Sequence, residues 1–126
     1  KTAGNKRMDL ILALSYSGKS ELTKAMQHIS SDVVAGKLQV SDITENLVNQ
    51  YLYTSNIPDP ELLIRTSGEK RISNFLLWQL AYSELYFTDL FWPDFNKQEL
   101  YKAILDYQQR QRRFGKTGEQ IQSQTA

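Results

Sequence analysis

Three short apolar runs are separated along the chain by longer segments that mix apolar and polar residues. The runs are residues 8–14, 62–64 and 85–87. A short, nearly continuous apolar run bounded by turn residues is typical of a strand that is buried on both faces. The pattern therefore predicts three strands, one near the start of the chain and two further along.

Two helices are predicted between the first and second strands, because apolar residues recur there at the spacing of one helix face. The first helix is predicted over residues 20–35, with Ser20 as its cap and Gly36 as its end. The second is predicted to begin at Ser41. The apolar faces of the two helices consist of Leu22, Ala25, Met26, Ile29 and Val33, and of Ile43, Leu47 and Tyr51.

Two more helices are predicted in the second half of the chain. One runs from residue 74 to about residue 84 and is apolar nearly all round, so it should be buried on several sides. The other begins with the capping pair Asn96 and Glu99. Its buried face is predicted to consist of Leu100, Ala103, Ile104 and Tyr107.

The predicted order of elements is strand, helix, helix, strand, helix, strand, helix. Strands that alternate with helices are usually joined by right-handed crossovers into a parallel sheet with helices on its faces. We therefore expect an α/β fold in which residues 1–115 belong to a single domain. Residues 116–126, rich in Gln, Thr, Gly and Ser, are predicted to form a flexible tail.

Composition narrows the class of protein. The hydrophobic share of 40% and the charged share of 23% are those of an ordinary globular domain. The absence of cysteine excludes a disulfide framework and a thiolate metal site. A net charge of +1 gives no support to a bulk polyanion as partner. No apolar run approaches the ~20 residues of a membrane-spanning helix, and the first residue is not methionine, so we expect an internal start.

A polar loop joins the predicted strand at residues 62–64 to the apolar third helix. It contains Arg65, Arg71 and Ser73. In an open parallel sheet, ligands bind outside the carboxyl ends of the strands, and guanidinium groups bind phosphate oxygens in pairs. These residues could therefore bind an oxyanion such as phosphate. Loop arginines are more often solvated or paired with a carboxylate such as Glu69. The residues alone leave both interpretations open and favour the second.

The sequence around this loop is long and specific. Residues 65–87 read RTSGEKRISNFLLWQLAYSELYF, and residues 88–95 read TDLFWPDF. This string closely resembles the C-terminal signature of the cis-prenyltransferases, and that of the bacterial undecaprenyl diphosphate synthases in particular. The resemblance extends from about residue 10 to residue 115. It implies that the chain forms the C-terminal part of the cis-prenyltransferase fold.

The resemblance also assigns roles to residues of the loop. In the family, two arginines and a serine bind the diphosphate of isopentenyl diphosphate. By position these are Arg65, Arg71 and Ser73, with Ile72 between the last two. Glu69 matches a family carboxylate that orients the arginines. The resemblance therefore turns the oxyanion interpretation of the loop into an expected substrate subsite.

Positions outside the loop match the family less uniformly. Glu84 matches a carboxylate implicated in magnesium binding, which implies Mg²⁺ as cofactor. Arg113 and Gly115 match an R-x-G element that reaches the isopentenyl diphosphate site of the neighbouring subunit, which implies a homodimer. The turn before the first helix more often reads Asn-Tyr-Gly-Gly-Arg in the family. Ser17 and Lys19 depart from that pattern, so the turn is assigned no ligand.

The reaction implied by the resemblance is prenyl transfer. Isopentenyl diphosphate adds repeatedly, with cis geometry, to an allylic diphosphate and gives a long-chain polyprenyl (undecaprenyl) diphosphate, a membrane lipid that serves as cell-wall lipid carrier. This implies a cytoplasmic enzyme acting at the inner face of the membrane. The family's catalytic aspartate lies in a D-G-N-G-R-W segment that does not occur in these 126 residues. No catalytic residue is therefore assigned in this chain, and the chain alone is expected to be inactive.

Two other classes of function remain open. One is a non-catalytic, diphosphate-binding partner subunit of a heteromeric prenyltransferase, against which the intact Arg65, Arg71, Ser73 and Arg113 argue. The other is a nucleic-acid-binding module that uses the basic residues near the C-terminus. It is disfavoured because the arginines are few and no aromatic residues interleave with them, so we expect no nucleic-acid partner.

Overall fold

A computed structural model describes residues 4–110 of the chain. The described helices are α1 (Gly18–Val34), α2 (Glu45–Tyr51) and α3 (Lys97–Gln109), and the strands are β1 (Leu62–Arg65) and β2 (Glu84–Phe87). Short 3₁₀ turns lie at Val40–Asp42 and Trp92–Asp94. α1 packs against α2, and α3 packs against β2. None of the described helices is long and apolar enough to cross a membrane.

β1 and β2 form a parallel pair. Leu62 lies opposite Glu84, and Arg65 lies opposite Phe87. The pairing continues beyond the strands, because the Thr88 amide donates to the Arg65 carbonyl at 3.0 Å. Both strands therefore leave the sheet at the same edge, where the carboxyl ends of parallel strands place their loops. The parallel α/β arrangement predicted from the sequence is confirmed, with both strands at the predicted positions.

α1 begins earlier than predicted. Its cap is Ser17 rather than Ser20, and the Ser17 hydroxyl oxygen accepts a hydrogen bond from the Ser20 amide at 3.3 Å. Its end at Gly36 is confirmed. Gly36 has a positive φ of 70°, which favours glycine. The Gly36 amide donates to Val33 and the Lys37 amide to Asp32, so the last carbonyls of the helix are satisfied.

Of the predicted caps of the other two helices, one is wrong and one is confirmed. α2 begins at Glu45 with Thr44 as its cap, whereas the predicted cap, Ser41, lies in the preceding 3₁₀ turn. Asn96 caps α3 as predicted, because its side-chain oxygen accepts from the amides of the first turn. The buried face of α3 is narrower than predicted. Ala103 is fully buried, but the predicted partners Leu100 and Ile104 remain exposed.

The strand predicted at residues 8–14 is absent from the described structure. The segment is irregular and open to solvent, and Leu10 and Leu14 are 80% and 84% exposed. An extended segment becomes a strand only when a neighbouring strand takes its backbone N–H and C=O groups. The described sheet consists of β1 and β2 alone and pairs neither of them with this segment. The prediction of a strand that is buried on both faces is therefore wrong for the described structure.

The helix predicted over residues 74–84 is also wrong. Residues 73–82 form successive turns and bends, and β2 already begins at Glu84. Ser73, Asn74 and Leu76 have φ values of 50°, 63° and 44°, in the left-handed region that a right-handed helix excludes. The prediction of burial on several sides holds only in part: Leu80 lies in the interior and residues 75–78 are half-buried, but Tyr82 is 75% exposed. The backbone here follows the contacts of Asn74 described below.

Candidate functional site

The polar loop begins where β1 ends. Arg65 is the last residue of β1 and is half-buried. The following turn is fastened to the segment that leaves β2, because the Ser67 amide donates to the Leu90 carbonyl at 2.7 Å and the Gly68 amide to the Thr88 carbonyl at 3.0 Å. Ser67 and Gly68 both have positive φ values. The sheet therefore fixes the start of the loop at the edge where ligands of parallel sheets bind.

Arg71 and Ser73 lie in the exposed part of the loop. The Arg71 side chain is 68% exposed and forms an ion pair with Glu69. This ion pair is expected both for a loop arginine without a ligand and for an arginine that Glu69 orients, so the orienting role of Glu69 stays a prediction. Ser73 is exposed, and Ile72 beside it is half-buried. An exposed guanidinium held by one carboxylate keeps N–H donors available for a phosphate oxygen.

Glu84 lies at the other end of the strand pair. It is opposite Leu62, whereas Arg65 is opposite Phe87, three residues further along β2. At the rise of a strand this separates the two positions by roughly 10 Å along the sheet. The register therefore places Glu84 away from the loop that contains the arginines.

The Glu84 carboxylate has a cationic partner of its own. Its Oε2 lies 2.9 Å from Nη1 of Arg110, the residue that follows α3. Arg110 also donates to the Leu85 carbonyl at 2.9 Å and pairs with Asp106 at 2.5 Å. The hydrogen bond to Glu84 raises the pKa of Arg110, so the guanidinium stays charged. The half-buried carboxylate is thus compensated, as a carboxylate out of water requires.

A complete magnesium site is not formed by the described residues. No group of three His, Cys, Asp or Glu side chains among residues 4–110 could hold a metal ion. Magnesium is commonly held by one or two carboxylates together with substrate phosphates and water. Glu84 could supply one such carboxylate only in competition with Arg110. The described residues therefore fit at most one ligand of a magnesium site, and residues 4–110 do not complete such a site by themselves.

A set of contacts that the sequence did not predict joins the loop to α1. The Asn74 carbonyl accepts from the Gly18 amide at 2.8 Å, and its side-chain oxygen accepts from the Lys19 amide at 2.9 Å. The Asn74 side-chain N–H donates to the Ser17 hydroxyl at 2.8 Å. We call these contacts among Ser17, Gly18, Lys19 and Asn74 the Asn74 clamp. Asparagine is a residue type that accepts hydrogen bonds from the amides at a helix start. The sequence suggested a helix that follows Asn74, whereas the amide that Asn74 accepts from belongs to α1.

A buried carboxylate lies in the first turn of α1. Glu21 is 1% exposed and accepts hydrogen bonds from the Tyr16 hydroxyl, from the Tyr53 amide at 2.8 Å and from the Gln79 side chain at 3.2 Å. Burial, followed by the hydrogen bond to Glu21, raises the pKa of the Tyr16 hydroxyl. Gln79 also donates to Thr54 at 2.9 Å. Glu21 therefore ties together three segments that are distant in sequence.

An apolar groove of about 750 Å³ lies beside this buried carboxylate. Its walls come from residues 11–17, from the start of α1, and from segments on either side of β1. Its side chains include Leu12, Leu14, Ile57, Phe75 and Leu76. The groove is separate from the loop with the arginines, because Arg65, Arg71 and Ser73 do not line it. Arg113 and Gly115 lie outside the described residues.

The chain matches known proteins over most of its length. The prenyltransferase family model described as "Putative undecaprenyl diphosphate synthase" matches residues 1–115. An isoprenyl transferase from Geobacter sulfurreducens is 53% identical over 125 residues, which cover 99% of this chain and 51% of the relative. An isoprenyl transferase from Chlorobaculum tepidum is 55% identical over 122 residues, which cover 97% of this chain and 46% of the relative. The chain thus spans about half the length of these relatives.

Solved structures agree with the sequence comparison. Lavandulyl diphosphate synthase from Lavandula x intermedia, in complex with dimethylallyl diphosphate, matches with a TM-score of 0.85 and 44% identity. The match covers 90% of this chain and 49% of that one. A probable undecaprenyl diphosphate synthase from Campylobacter jejuni matches with a TM-score of 0.67 and 35% identity, over 83% of this chain and 46% of the other. The family model and these matches show that the chain belongs to the undecaprenyl diphosphate synthase family of prenyltransferases.

Proposed function

We propose that this chain carries the isopentenyl diphosphate subsite of a cis-prenyltransferase. The observation that carries the proposal is the loop at the carboxyl edge of the parallel pair, with Arg65 at its start and Arg71 and Ser73 in its exposed part. The positions of parallel-sheet ligands and the affinity of guanidinium for phosphate both favour a diphosphate there. The dimethylallyl diphosphate in the lavandulyl diphosphate synthase structure supports isoprenyl diphosphates as the substrate class.

The proposed reaction elongates a prenyl chain. The carbon–oxygen bond of the allylic diphosphate breaks, diphosphate leaves, and a carbon–carbon bond forms to isopentenyl diphosphate. Loss of one proton then gives the new cis double bond. In this reaction the chain holds the nucleophilic substrate through its diphosphate. Correct placement of two reactants can supply on the order of 7–11 kcal/mol of the rate enhancement, so the subsite contributes by positioning.

Further parts of the proposal concern the cofactor and the assembly. Magnesium would neutralise charge on the leaving diphosphate, and Glu84 is the described carboxylate that we propose as a ligand. Arg113 and Gly115 are proposed to complete the subsite of a second copy in a homodimer. The proposed product is an undecaprenyl diphosphate that serves as the cell-wall lipid carrier. The proposed location is the cytoplasm, at the inner face of the membrane.

Replacement of Arg71 by lysine tests the subsite. Lysine keeps the positive charge but loses the planar fork, and a charged hydrogen bond is worth roughly 1.5–3 kcal/mol. We expect Arg71→Lys in the intact protein to weaken isopentenyl diphosphate binding about tenfold to a hundredfold, measured by isothermal titration calorimetry.

The neighbouring residue Lys70 provides a matched control. Lys70 is exposed in the same loop, and Lys70→Gln removes a positive charge without touching the guanidinium fork. If the fork binds the diphosphate, Lys70→Gln changes the affinity much less than Arg71→Lys does. Equal affinities of the wild type and Arg71→Lys would remove Arg71 from the subsite. A loss of affinity in Lys70→Gln without a loss in Arg71→Lys would indicate that only the general charge of the loop matters.

A further inference from the structure

We propose that Asn74 is a positioning residue for the diphosphate subsite, and that it acts through the Asn74 clamp. The inference rests on the proposed function, because it concerns the loop that contains Arg71 and Ser73. Asn74 directly follows Ser73 and makes three hydrogen bonds to the first turn of α1. The clamp therefore fixes the end of the loop, while the sheet fixes its beginning at Arg65.

The clamp joins segments that are far apart in the sequence. The three bonds cross 55 to 57 residues of chain and use the Asn74 carbonyl, its side-chain oxygen and its side-chain N–H group. Every polar group of Asn74 except its backbone amide is therefore engaged with α1. A side chain with both an acceptor and a donor is needed for this arrangement, which asparagine provides.

Gly18 shows how closely the two segments approach. A Cβ atom at this position would lie 2.9 Å from the Asn74 carbonyl oxygen and 2.9 Å from Cγ of Leu77. Real Cβ atoms do not approach a backbone carbonyl so closely, so the position admits only glycine without movement. The helix start and the loop end are therefore in direct van der Waals contact as well as hydrogen bonded.

The backbone of the loop end explains why such a clamp is required. Ser73 and Asn74 both have positive φ values, 50° and 63°, although neither is glycine. Such conformations persist only when surrounding contacts hold them. Asn74 tolerates the left-handed region better than most residues, but Ser73 gains no such advantage. The bonds of Asn74 to α1 thus hold Ser73, and with it Arg71 two residues earlier, in the orientation that the loop presents to solvent.

Ser17 takes part in the clamp, although it departs from the family pattern at this turn. Its hydroxyl oxygen accepts from both the Ser20 amide and the Asn74 side chain, so one side chain caps α1 and fastens the loop. A glycine at this position would provide neither contact. Ser17 is 56 residues before Ser73 in the sequence and is no part of the loop. The contact through which the Ser17 side chain reaches the loop is its hydrogen bond with Asn74.

The test compares four single variants and the double variant Asn74→Gly/Ser17→Ala of the intact protein in steady-state kinetics, with isopentenyl diphosphate and the allylic diphosphate varied separately. Asn74→Gly keeps access to the left-handed backbone and loses both side-chain bonds. Ser17→Ala loses the acceptor, whereas Ser17→Asp keeps an acceptor for both donors. Thr23→Ala is the control, because the Thr23 hydroxyl bonds only to the Lys19 carbonyl of its own helix. Melting temperatures and circular dichroism verify that each variant is folded.

If Asn74 positions the subsite, its loss changes the KM for isopentenyl diphosphate and leaves the other kinetic constants nearly unchanged. In Asn74→Gly and Ser17→Ala the KM for isopentenyl diphosphate rises about tenfold, the effect of losing one or two neutral hydrogen bonds. The KM for the allylic diphosphate and kcat stay within about twofold. Ser17→Asp and Thr23→Ala retain the wild-type KM values. In the double variant Asn74→Gly/Ser17→Ala, the KM for isopentenyl diphosphate rises little beyond that of Asn74→Gly. The reason is that the side chain that Ser17 contacts is already absent.

Other outcomes overturn the inference in distinguishable ways. An unchanged KM for isopentenyl diphosphate in folded Asn74→Gly and Ser17→Ala would show that the clamp does not position the subsite. An equal rise of both KM values, or a fall of kcat alone, would reduce Asn74 to a structural residue. Failure of the wild type to bind isopentenyl diphosphate would overturn the proposed function and this inference together.

Discussion

The Glu84 carboxylate has two competing uses, an ion pair with Arg110 and the proposed coordination of magnesium. The ion pair is present at 2.9 Å and is partly exposed, with side-chain exposures of 27% for Glu84 and 31% for Arg110. Partly exposed ion pairs contribute roughly 0–1 kcal/mol to stability. Replacing either partner should therefore leave the protein folded, so that an effect on metal dependence can be measured in both variants.

Glu84→Gln is expected to raise the magnesium concentration needed for half-maximal rate, because a neutral amide is a poorer ligand for a hard cation than a carboxylate. The measurement is a magnesium titration of the initial rate of the intact protein. Arg110→Gln is the matched control, since it breaks the same ion pair and keeps the carboxylate. Its magnesium requirement should stay equal or fall. An unchanged requirement in folded Glu84→Gln would leave Glu84 with its structural role alone.

Tyr16 provides a prediction for the alkaline range. Burial and the hydrogen bond to Glu21 raise the pKa of its hydroxyl above the ordinary value of about 10. The folded chain therefore binds this proton more tightly than the unfolded chain does. The stability that results is fully present below pH ~10 and is lost as the pH rises through the pKa of the folded state.

Tyr16→Phe should accordingly be less stable than the wild type near pH 7, by roughly 1–3 kcal/mol, because the buried Glu21 loses one donor. The gap should narrow as the pH rises above about 10. Urea denaturation of both proteins at pH 7, 9, 10 and 11 measures this gap, which isolates the Tyr16 hydroxyl because the two chains differ only there. A constant gap across this range would show that the Tyr16 hydroxyl is not coupled to folding.

At the scale of the elements, the packing of α1 against the loop end depends on Gly18. Alanine would favour the helix intrinsically, but its Cβ would lie 2.9 Å from a backbone carbonyl oxygen that has little room to move. We expect Gly18→Ala to destabilise the folded chain by roughly 1–3 kcal/mol, the usual cost of overpacking. Gly4→Ala is the control, because nothing lies within 4 Å of the added Cβ. Equal urea midpoints of the two variants would contradict the close approach.

The strands and helix ends show how much of the fold follows from local sequence. β1 and β2 were predicted because their runs are short, apolar and bounded by turn residues, and they pair with each other in the described structure. The ends at Gly36 and Asn96 follow from local capping chemistry. Residues 8–14 carry the same apolar signal, but a strand also needs a partner, which no local pattern supplies.

The loop end shows what local sequence does not contain. Ser73 and Asn74 are good caps for a following helix, so the sequence favoured a helix over residues 74–84. The Asn74 side chain instead accepts from the Lys19 amide of α1, 55 residues earlier, and its left-handed backbone stops a right-handed helix from forming. The site roles of Arg65, Arg71 and Glu69 come from the family resemblance and stay predictions, although an ion pair between the last two is seen. The Asn74 clamp and the hydrogen bonds of the buried Glu21 join residues far apart in the sequence, and local sequence did not predict them.

At the scale of the whole molecule, the proposed homodimer makes a prediction about shared sites. Arg113→Ala should lower turnover even though it lies far along the sequence from Arg71. In a twofold dimer each site can take residues from both subunits. Mixing Arg113→Ala chains with Arg71→Ala chains should then restore part of the activity, because the heterodimer contains one site with both arginines. Absence of rescue in mixtures that demonstrably exchange subunits would count against a shared site.

The last prediction concerns these 126 residues as an isolated protein, which we expect to turn over no substrate. In the proposed function the loop with Arg65, Arg71 and Ser73 binds one diphosphate, whereas the aspartate segment that the family resemblance implies for catalysis does not occur in these 126 residues. Holding two reactants in place can lower the reaction barrier by on the order of 7–11 kcal/mol. A chain that places only one of them loses most of this rate enhancement. The exposed residues 8–14 and the open apolar groove should also make the isolated chain self-associate.

Two measurements on the purified 126-residue chain test this expectation. Incubation with magnesium, farnesyl diphosphate and labelled isopentenyl diphosphate, followed by lipid extraction, should yield no long-chain product. Calorimetric titration with isopentenyl diphosphate should still detect weak binding, which Arg71→Lys diminishes because the guanidinium fork is lost. Binding without turnover would locate the substrate subsite within these residues and the bond-making chemistry outside them. Long-chain product at a rate near that of full-length relatives would instead place the whole reaction within this chain.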